Sequence, residues 1–401
     1  MNKPTLFGYG LTTKAIAKKL GGECIFFDDK AQKPYRDQDN NQIIPSNLFD
    51  PLKSKLEVTT PSFKPTHPLI QKANNLISEY DFFAQDMPFS IWISGTNGKT
   101  TTTQMLGHLL EKRGALTGGN IGTPLAELNT DAPIWILESS SFTLHHTNIA
   151  SPNIYILLPI TPDHLDWHGT AKQYEADKLK PLLTMKEGEL ALIPKGLNLP
   201  QTDAFLVEYD STQFLENYFD IDSSKINFKS AFLEDALLAL AVTKTLFDEI
   251  DYDTINSFKL DNHRQEETRD IRGRLWVNDS KATNLDATIQ AIKGYSDKFI
   301  RLIIGGDDKG ANLSPLFELL RDKELKLYII GANSNRLANF ANKYNIEFNL
   351  SKTLENAVNS ISKERDQNDV ALLSPAAASY DQFNSYKHRG EEFFKFIKKI
   401  K

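Results

Sequence analysis

Apolar residues occur along the chain in short runs that alternate with helical spacings. The run Thr5-Leu6-Phe7 predicts a strand, the spacing of Ala15, Ile16, Ala17 and Leu20 a helix, and Cys24-Ile25-Phe26-Phe27, ending in Asp28-Asp29, a second strand. Between the first strand and the helix lies Gly8-Tyr9-Gly10-Leu11-Thr12-Thr13. Strand, glycine turn, helix, strand and acid open a dinucleotide-type βαβ unit, although Thr13 takes the place of the third glycine. Two readings stand: a turn that glycine merely permits, or one whose backbone N–H groups face a diphosphate with Asp28 near a ribose. Asp37 to Gln42 reads as a polar loop, Thr60-Pro61-Ser62 as a turn, and Tyr80 to Pro88 as a link.

A second segment opens on the apolar strand Ile91-Trp92-Ile93 and carries a helix with Met105, Leu106, Leu109 and Leu110 on one face. It runs to about Lys259, with a helix from Ala231 to Phe247 near its end. From Leu260 onward, strands at Leu275-Trp276-Val277, 299–304, 325–330 and 370–373 alternate with helices at 285–292, 313–320, 336–344 and 354–361. That alternation predicts a mostly parallel sheet covered on both faces. The expected fold class is α/β in three domains: a Rossmann-like N-terminal domain (1–88), a central P-loop ATPase-type domain (89–260) and a Rossmann-like C-terminal domain (261–401).

A length of 401 residues agrees with two or three domains, at about 150 residues each. With 46 Lys+Arg against 52 Asp+Glu the net charge is −6, which lacks the basic footprint of a nucleic-acid binder. Cys24 is the single cysteine, so an intramolecular disulfide framework and a cysteine-built zinc site are both excluded, and its apolar surroundings point to a buried strand position. No apolar run reaches 18 residues and the first residues lack a signal-peptide pattern, so a cytoplasmic chain without membrane insertion is expected.

The strongest chemical signal is Ser94-Gly95-Thr96-Asn97-Gly98-Lys99-Thr100-Thr101, directly after a strand and before a helix. Phosphate oxygens need converging N–H donors, a close backbone approach and a fixed positive charge. Glycines permit the approach, the helix N-terminus supplies donors, Lys99 reaches the β/γ-phosphates and Thr100 offers a hydroxyl to the Mg²⁺ that accompanies ATP. The longer G-x-x-x-x-G-K-[ST] pattern would need glycine where Ile93 stands, so this is a shorter variant. Glu138, ending an apolar strand, is placed to hold Mg²⁺ or to be a solvated strand-end acid. His164 and His168 have the i, i+4 spacing of a zinc pair, but Pro162 and Gly169 bracket them too tightly for a stable helix and no third soft ligand is evident. Taken alone, Lys178 reads as a surface lysine.

Around these residues the chain resembles the Mur ligases of peptidoglycan synthesis, with folylpolyglutamate synthases as relatives. The blocks that carry the resemblance are Gly119-Asn120-Ile121-Gly122, Glu138-Ser139-Ser140-Ser141-Phe142, Asp163-His164-Leu165-Asp166, Tyr174-Glu175-Ala176-Asp177-Lys178, His263-Arg264-Gln265-Glu266, Asn278-Asp279-Ser280-Lys281-Ala282-Thr283-Asn284, Gly305-Gly306-Asp307-Asp308-Lys309-Gly310 and the run from Ser374 to Phe383. The resemblance spans essentially the whole chain and implies ATP-dependent addition of D-glutamate to UDP-N-acetylmuramoyl-L-alanine through an acyl phosphate. It implies two Mg²⁺ ions, with Mn²⁺ as a substitute, held by Thr100, Glu138, His164 and a carbamylated Lys178, and it leaves Asp166 and His168 structural. ATP contacts are implied for Gly95 to Thr101, Arg264 and Asp279. Substrate contacts are implied for Leu11, Thr12, Asp28, Thr60, Asn120 and Lys281, and amino-acid contacts for Thr283, Lys309, Ser379 and Tyr386. A monomer is expected.

Three features depart from the family. Tyr386 stands where phenylalanine is common, Thr143 where glutamine follows S-S-F, and the N-terminal segment is short. The competing readings are a sister ligase with another amino acid or a folate, an ATPase or switch without ligase activity, and an NAD-dependent oxidoreductase resting on Gly8, Gly10 and Asp28.

Overall fold

The computed structural model describes residues 3–400. It contains three six-stranded sheets, each with helices packed on it. In spatial order the first sheet is Tyr35–Arg36, Gln42–Pro45, Ile25–Asp28, Thr5–Phe7, Glu57–Thr59 and Leu76–Ile77, parallel except for its first strand. The second is Phe205–Tyr209, Leu190–Pro194, Ile154–Leu157, Phe89–Ser94, Ile134–Glu138 and Leu116–Gly119, parallel throughout. The third is Glu266–Arg269, Leu275–Asn278, Val370–Leu373, Ile300–Ile304, Leu325–Ile330 and Phe348–Lys352, with an antiparallel first strand. The α/β class expected from the pattern is the class observed.

The chain forms two compact units, one running to Phe258 apart from 229–231, the other made of those three residues and Lys259 onward. The first two sheets share a unit because one core serves both. Buried Leu6 and Phe26 of the first sheet and Trp92, Trp135 and Tyr155 of the second belong to a single hydrophobic cluster, which Tyr80 and Phe83 from the connecting segment also join. In the second unit, two clusters cover the two faces of the third sheet. Leu302, Ile304, Leu327 and Phe317 pack on one face, and Trp276, Ile303, Tyr328 and Phe393 on the other.

The expected strands and helices of the third sheet appear within three residues of their expected bounds, the strands because those buried on both faces read as mostly apolar runs. The missed elements have weaker signals. Gln42–Pro45, Glu57–Thr59 and Leu76–Ile77 are short, Glu266–Arg269 and Phe348–Lys352 are polar edge strands, and the helix Tyr386–Lys398 is mainly charged and buries Phe393 and Ile397. Cys24 is buried as expected, just ahead of its strand rather than within it. Tyr80 to Pro88, expected to be a plain link, begins inside the helix Glu79–Phe82, three of whose residues are buried. His164 and His168 flank and end a single helical turn, Leu165–His168, which fits between Pro162 and Gly169 because His164 takes a left-handed φ of 52°.

Leu302 lies fully buried at the centre of the third sheet. Leu302→Ala is expected to destabilise that unit by about 2–5 kcal/mol, measured by urea denaturation followed with a probe in the unit.

Candidate active site

The central sheet presents its phosphate loop between two neighbouring strands. Parallel pairing sets Ile93 opposite Glu138 and Ser94 opposite Leu157, so Gly95 to Gly98 emerge beside the strand-end carboxylate. Both loop glycines are required. Gly95 has φ 143° and a Cβ there would lie 2.5 Å from Leu158 Cβ; Gly98 has φ 84° and its Cβ would lie 2.5 Å from Asp235 Oδ1. The helix Lys99–Leu110 starts immediately after and points its free N–H groups at the loop. Lys99 Nζ curls over the loop, donating to the carbonyls of Gly95 (2.9 Å) and Thr96 (2.8 Å). Thr96 turns its hydroxyl inward, donating to the Thr161 carbonyl and sharing a hydrogen bond with Tyr174, and Thr101 is buried, so both offer backbone rather than side chain to a ligand.

Glu138, 4% exposed, holds the adjoining corner. Its Oε2 accepts from the Thr100 hydroxyl at 2.7 Å and its Oε1 from Asn120 Nδ2 at 2.9 Å. A carboxylate and a hydroxyl beside a phosphate loop form the oxygen donor set that suits Mg²⁺, which retains waters and uses one or two carboxylates plus phosphate oxygens. Among the described residues, no group of three or more His, Cys, Asp and Glu side chains is arranged to hold a metal ion by itself. His168 has both ring nitrogens engaged, Nδ1 with Asp177 Oδ2 (2.7 Å) and Nε2 with Ser141 Oγ (3.0 Å). His164 lies half-exposed against Phe142, and its burial, with Lys99 nearby, pushes its imidazole below the usual value. Asp166 is exposed and takes an ion pair from Lys64 at 3.0 Å.

Lys178 corrects the surface reading: it is 1% exposed. Its Nζ donates to the Gly95 carbonyl at 2.7 Å and lies 3.3 Å from Ser94 Oγ, directly beneath the phosphate loop. Burial first, and then the charge of Lys99, push its amine well below the ordinary lysine value. The preceding residue, Asp177, anchors this part of the helix Ala171–Leu179. Burial alone would raise its carboxyl, but hydrogen bonds to His145 and His168 outweigh that and hold it at about 2. No pattern in the sequence marks Asp177 or His145, since their pairing depends on tertiary contact.

A cavity of about 860 Å³ in the same unit gathers Gly8 to Thr12, Asp28, Thr60, Lys64 and His67 from the first sheet's loops with Asn120 and Gly122 from the second's. It thus brings together Leu11, Thr12, Asp28, Thr60 and Asn120. The Asp28 carboxylate accepts from the backbone N–H groups of Tyr9 (2.7 Å) and Lys30 (2.8 Å), so it ties the glycine turn closed while lining the cavity.

In the second unit, the loops after three adjacent strands carry the remaining expected residues. Lys281 and Thr283 follow Leu275–Asn278, Ser379 follows Val370–Leu373, and Lys309 follows Ile300–Ile304. Paired backbone hydrogen bonds between Asp307 and Ala378 join the last two loops. Lys309 and Thr283 are exposed, Ser379 is buried, and Lys281 Nζ lies 5.7 Å from the centre of the Tyr386 ring. Arg389 was not singled out from the sequence. It is 1% exposed and donates to the Ser280 hydroxyl and carbonyl and to the Ala377 carbonyl, which ties two of these loops to the last helix. A glycine within that helix hints at it, since a Cβ at Gly390 would lie 2.3 Å from the His263 ring. Asp279 faces inward, accepting from Ser374 Oγ (2.8 Å) and the Gln265 N–H (3.3 Å), and burial pushes its carboxyl up to about 7. Arg264 keeps a buried Nε without a hydrogen-bond partner.

Residues 93–201 match the family description "Mur ligase middle domain". The chain is 50% identical over 401 residues to the UDP-N-acetylmuramoylalanine–D-glutamate ligase of Campylobacter jejuni (strain 81-176), covering 99% of this chain and 100% of that one. It is 44% identical over 420 residues to the protein of the same name from Helicobacter pylori (strain HPAG1), with 99% and 100% covered. Among solved structures it superposes on the Thermotoga maritima MurF ligase in complex with ADP, with a TM-score of 0.58, 15% identity, and coverage of 93% of this chain and 94% of that one. It also superposes on the Acinetobacter baumannii MurF, with a TM-score of 0.59, 14% identity and coverage of 98% and 91%. These likenesses show a shared fold.

Gly98→Ala places a side chain at φ 84° against Asp235, so affinity for ADP is expected to fall about tenfold or more, by calorimetric titration. Asp279 has a folded pKa of about 7, above its ordinary 3.8, so its contribution to stability is full below the lower value and lost as pH rises through the upper. Asp279→Asn, neutral at every pH, should flatten that fall in urea denaturation curves taken across the same interval.

Proposed function

The chain belongs to the Mur ligase family, and from that premise we infer that it joins D-glutamate to UDP-N-acetylmuramoyl-L-alanine at the expense of ATP. The observation that carries the reading is the site itself, present in a chain that matches such ligases from end to end: a glycine phosphate loop with Lys99 above it, Lys178 beneath it and the Thr100–Glu138 pair beside it. Carboxylate oxygen is a poor leaving group. The substrate carboxylate therefore takes the γ-phosphoryl group, ADP departs, the D-glutamate amine attacks the acyl carbon, and inorganic phosphate leaves as the amine gives up a proton.

Lys99 and the loop N–H groups neutralise charge on the transferring phosphoryl group. Thr100 and Glu138 would hold one Mg²⁺, and His164 with Lys178 would serve a second. Bound with ATP, the metal supplies further charge neutralisation at the phosphates. Carbamylation suits Lys178, because burial disfavours its ammonium form, the free amine is the form that adds to CO₂, and the product is a carboxylate able to reach a cation. The cavity of about 860 Å³ fits the sugar nucleotide, with Leu11, Thr12, Asp28, Thr60 and Asn120 on its wall. Arg264 and Asp279 would serve ATP, and Lys281, Thr283, Lys309, Ser379 and Tyr386 would receive the amino acid and its two carboxylates. We take the three-domain division at 88 and 260 as the functional one: a sugar-nucleotide domain, an ATP domain and an amino-acid domain. The protein acts as a monomer in the cytoplasm, where its nucleotide substrates are made. Among the described residues, no helix is long and apolar enough to cross a membrane.

Phosphate release with ATP, Mg²⁺ and UDP-N-acetylmuramoyl-L-alanine is expected with D-glutamate and not with L-glutamate, L-lysine or meso-diaminopimelate. Release without any amino acid would instead favour an ATPase. Lys178→Ala is expected to lose activity by about a hundredfold or more and to regain part of it with added short carboxylates, which supply the missing anion. Full activity in that variant would rule out the carbamate.

A further inference from the structure

The segment joining the first two sheets contains the short helix Glu79–Phe82, and three consecutive residues of it hold three different loops of the central sheet. Glu79 Oε1 accepts from the Leu125 N–H at 2.8 Å, at the end of the loop that carries Asn120. Asp81 accepts from three successive backbone N–H groups, of Asn148, Ile149 and Ala150, each at 2.8 Å. Between them Tyr80, 2% exposed, reaches the end of the Ile134–Glu138 strand. Its hydroxyl donates to the Glu138 carbonyl at 3.1 Å and accepts from Ser139 Oγ at 3.1 Å. Its ring is set edge-on against Trp92, with centroids 4.7 Å apart.

The Glu138 carbonyl is the point at which this brace meets the site. It accepts a second hydrogen bond, from the Asn120 N–H at 2.9 Å, while Asn120 Nδ2 donates to the Glu138 carboxylate. Backbone and side chain of Glu138 are therefore fixed by a closed ring of contacts. Gly119 leaves room for it: a Cβ there would lie 2.7 Å from the Tyr80 oxygen and 2.6 Å from the Glu138 carbonyl. A buried phenol oxygen needs hydrogen-bond partners, and this one finds both of them at the end of the Ile134–Glu138 strand.

We propose that Tyr80 is a positioning residue for the ligase reaction, its hydroxyl setting the Glu138 backbone so that the carboxylate meets Thr100 and Asn120 at the metal-binding corner. The inference rests on the reading of Glu138 as a metal-holding group. It assigns to the inter-sheet connection a role in catalysis, since the same helix grips the loop that lines the sugar-nucleotide cavity through Glu79.

The test is Tyr80→Phe, which keeps the packed ring and removes one oxygen, compared with Ser139→Ala, which removes a hydrogen bond of the same oxygen but leaves the Tyr80–Glu138 bond. Two readouts are needed: Mn²⁺ affinity in the presence of a non-hydrolysable ATP analogue, by electron paramagnetic resonance, and the kinetics of D-glutamate-dependent phosphate release. For Tyr80→Phe, Mn²⁺ affinity and kcat should each fall about threefold to tenfold, the size expected for one lost buried hydrogen bond, with KM for the sugar nucleotide within about twofold of the parent. Ser139→Ala should keep the parent's Mn²⁺ affinity. Unchanged Mn²⁺ affinity in Tyr80→Phe, equal losses in both variants, or a uniform loss of all parameters with a lowered melting temperature would overturn the proposal. An unmutated protein that binds Mn²⁺ with the analogue yet releases no phosphate with D-glutamate would overturn the ligase reading instead, and the Mn²⁺ comparison would still decide the role of Tyr80.

Discussion

Parallel pairing of Phe89–Ser94 with Ile134–Glu138 is the constraint on which the candidate site depends. In a parallel sheet, neighbouring strands end on the same side, so the loop that follows one and the last side chain of the other are brought together without any local sequence relation between them. The register Ile93 to Glu138 places a carboxylate two residues short of Gly95, and Thr100, in the first turn of the following helix, comes down onto it. Slipping this pairing by one residue would turn Glu138 to the opposite face and leave Thr100 and Asn120 without their acceptor. The Tyr80 hydroxyl, the Gly119 approach and the Asn120 N–H all converge on the same strand end.

Beneath that corner, Lys178 shows how burial creates reactivity. A lysine in water is an ammonium ion and a poor nucleophile. Removed from water, with Lys99 nearby and the Gly95 and Ser94 oxygens as its hydrogen-bond partners, the charged form is penalised. The structure holds it there through Asp177, whose carboxylate is gripped by His145 and His168. The histidine spacing that resembles a zinc pair in sequence is thus used to fix a helix: His168 spends its nitrogens on Asp177 and Ser141.

The second unit reaches its arrangement by a different route. Three adjacent strand ends supply loops bearing Lys281, Ser379 and Lys309, and one buried guanidinium, Arg389, ties two of them to the terminal helix. Such a charge is tolerated in the interior only because four donated hydrogen bonds meet carbonyl and hydroxyl oxygens at Ser280 and Ala377. Burial of Asp279 in the same region follows the same rule, with Ser374 and the Gln265 N–H as its partners.

Much of the architecture was legible before any coordinates. A continuous apolar run as short as Val370–Leu373 reads as a strand buried on both faces, and Gly95 to Thr101 after an apolar strand reads as a phosphate loop, because its chemistry is local to seven residues. The polar edge strands and the charged helix Tyr386–Lys398 escaped, since each buries few apolar residues. Glu138, His164 and Lys178 could be named from short motifs, but their states could not. Whether a lysine is solvated or buried, whether a histidine pair binds metal or clamps a carboxylate, and whether a connecting segment is a tether or a brace all depend on partners far away in sequence. By itself the sequence determined the elements, the phosphate chemistry and the likeness to a family. Tertiary packing alone decided the partners of Glu138, the burial of Lys178 and the grip of Tyr80, because desolvation and hydrogen bonding act through space and leave no periodic trace along the chain.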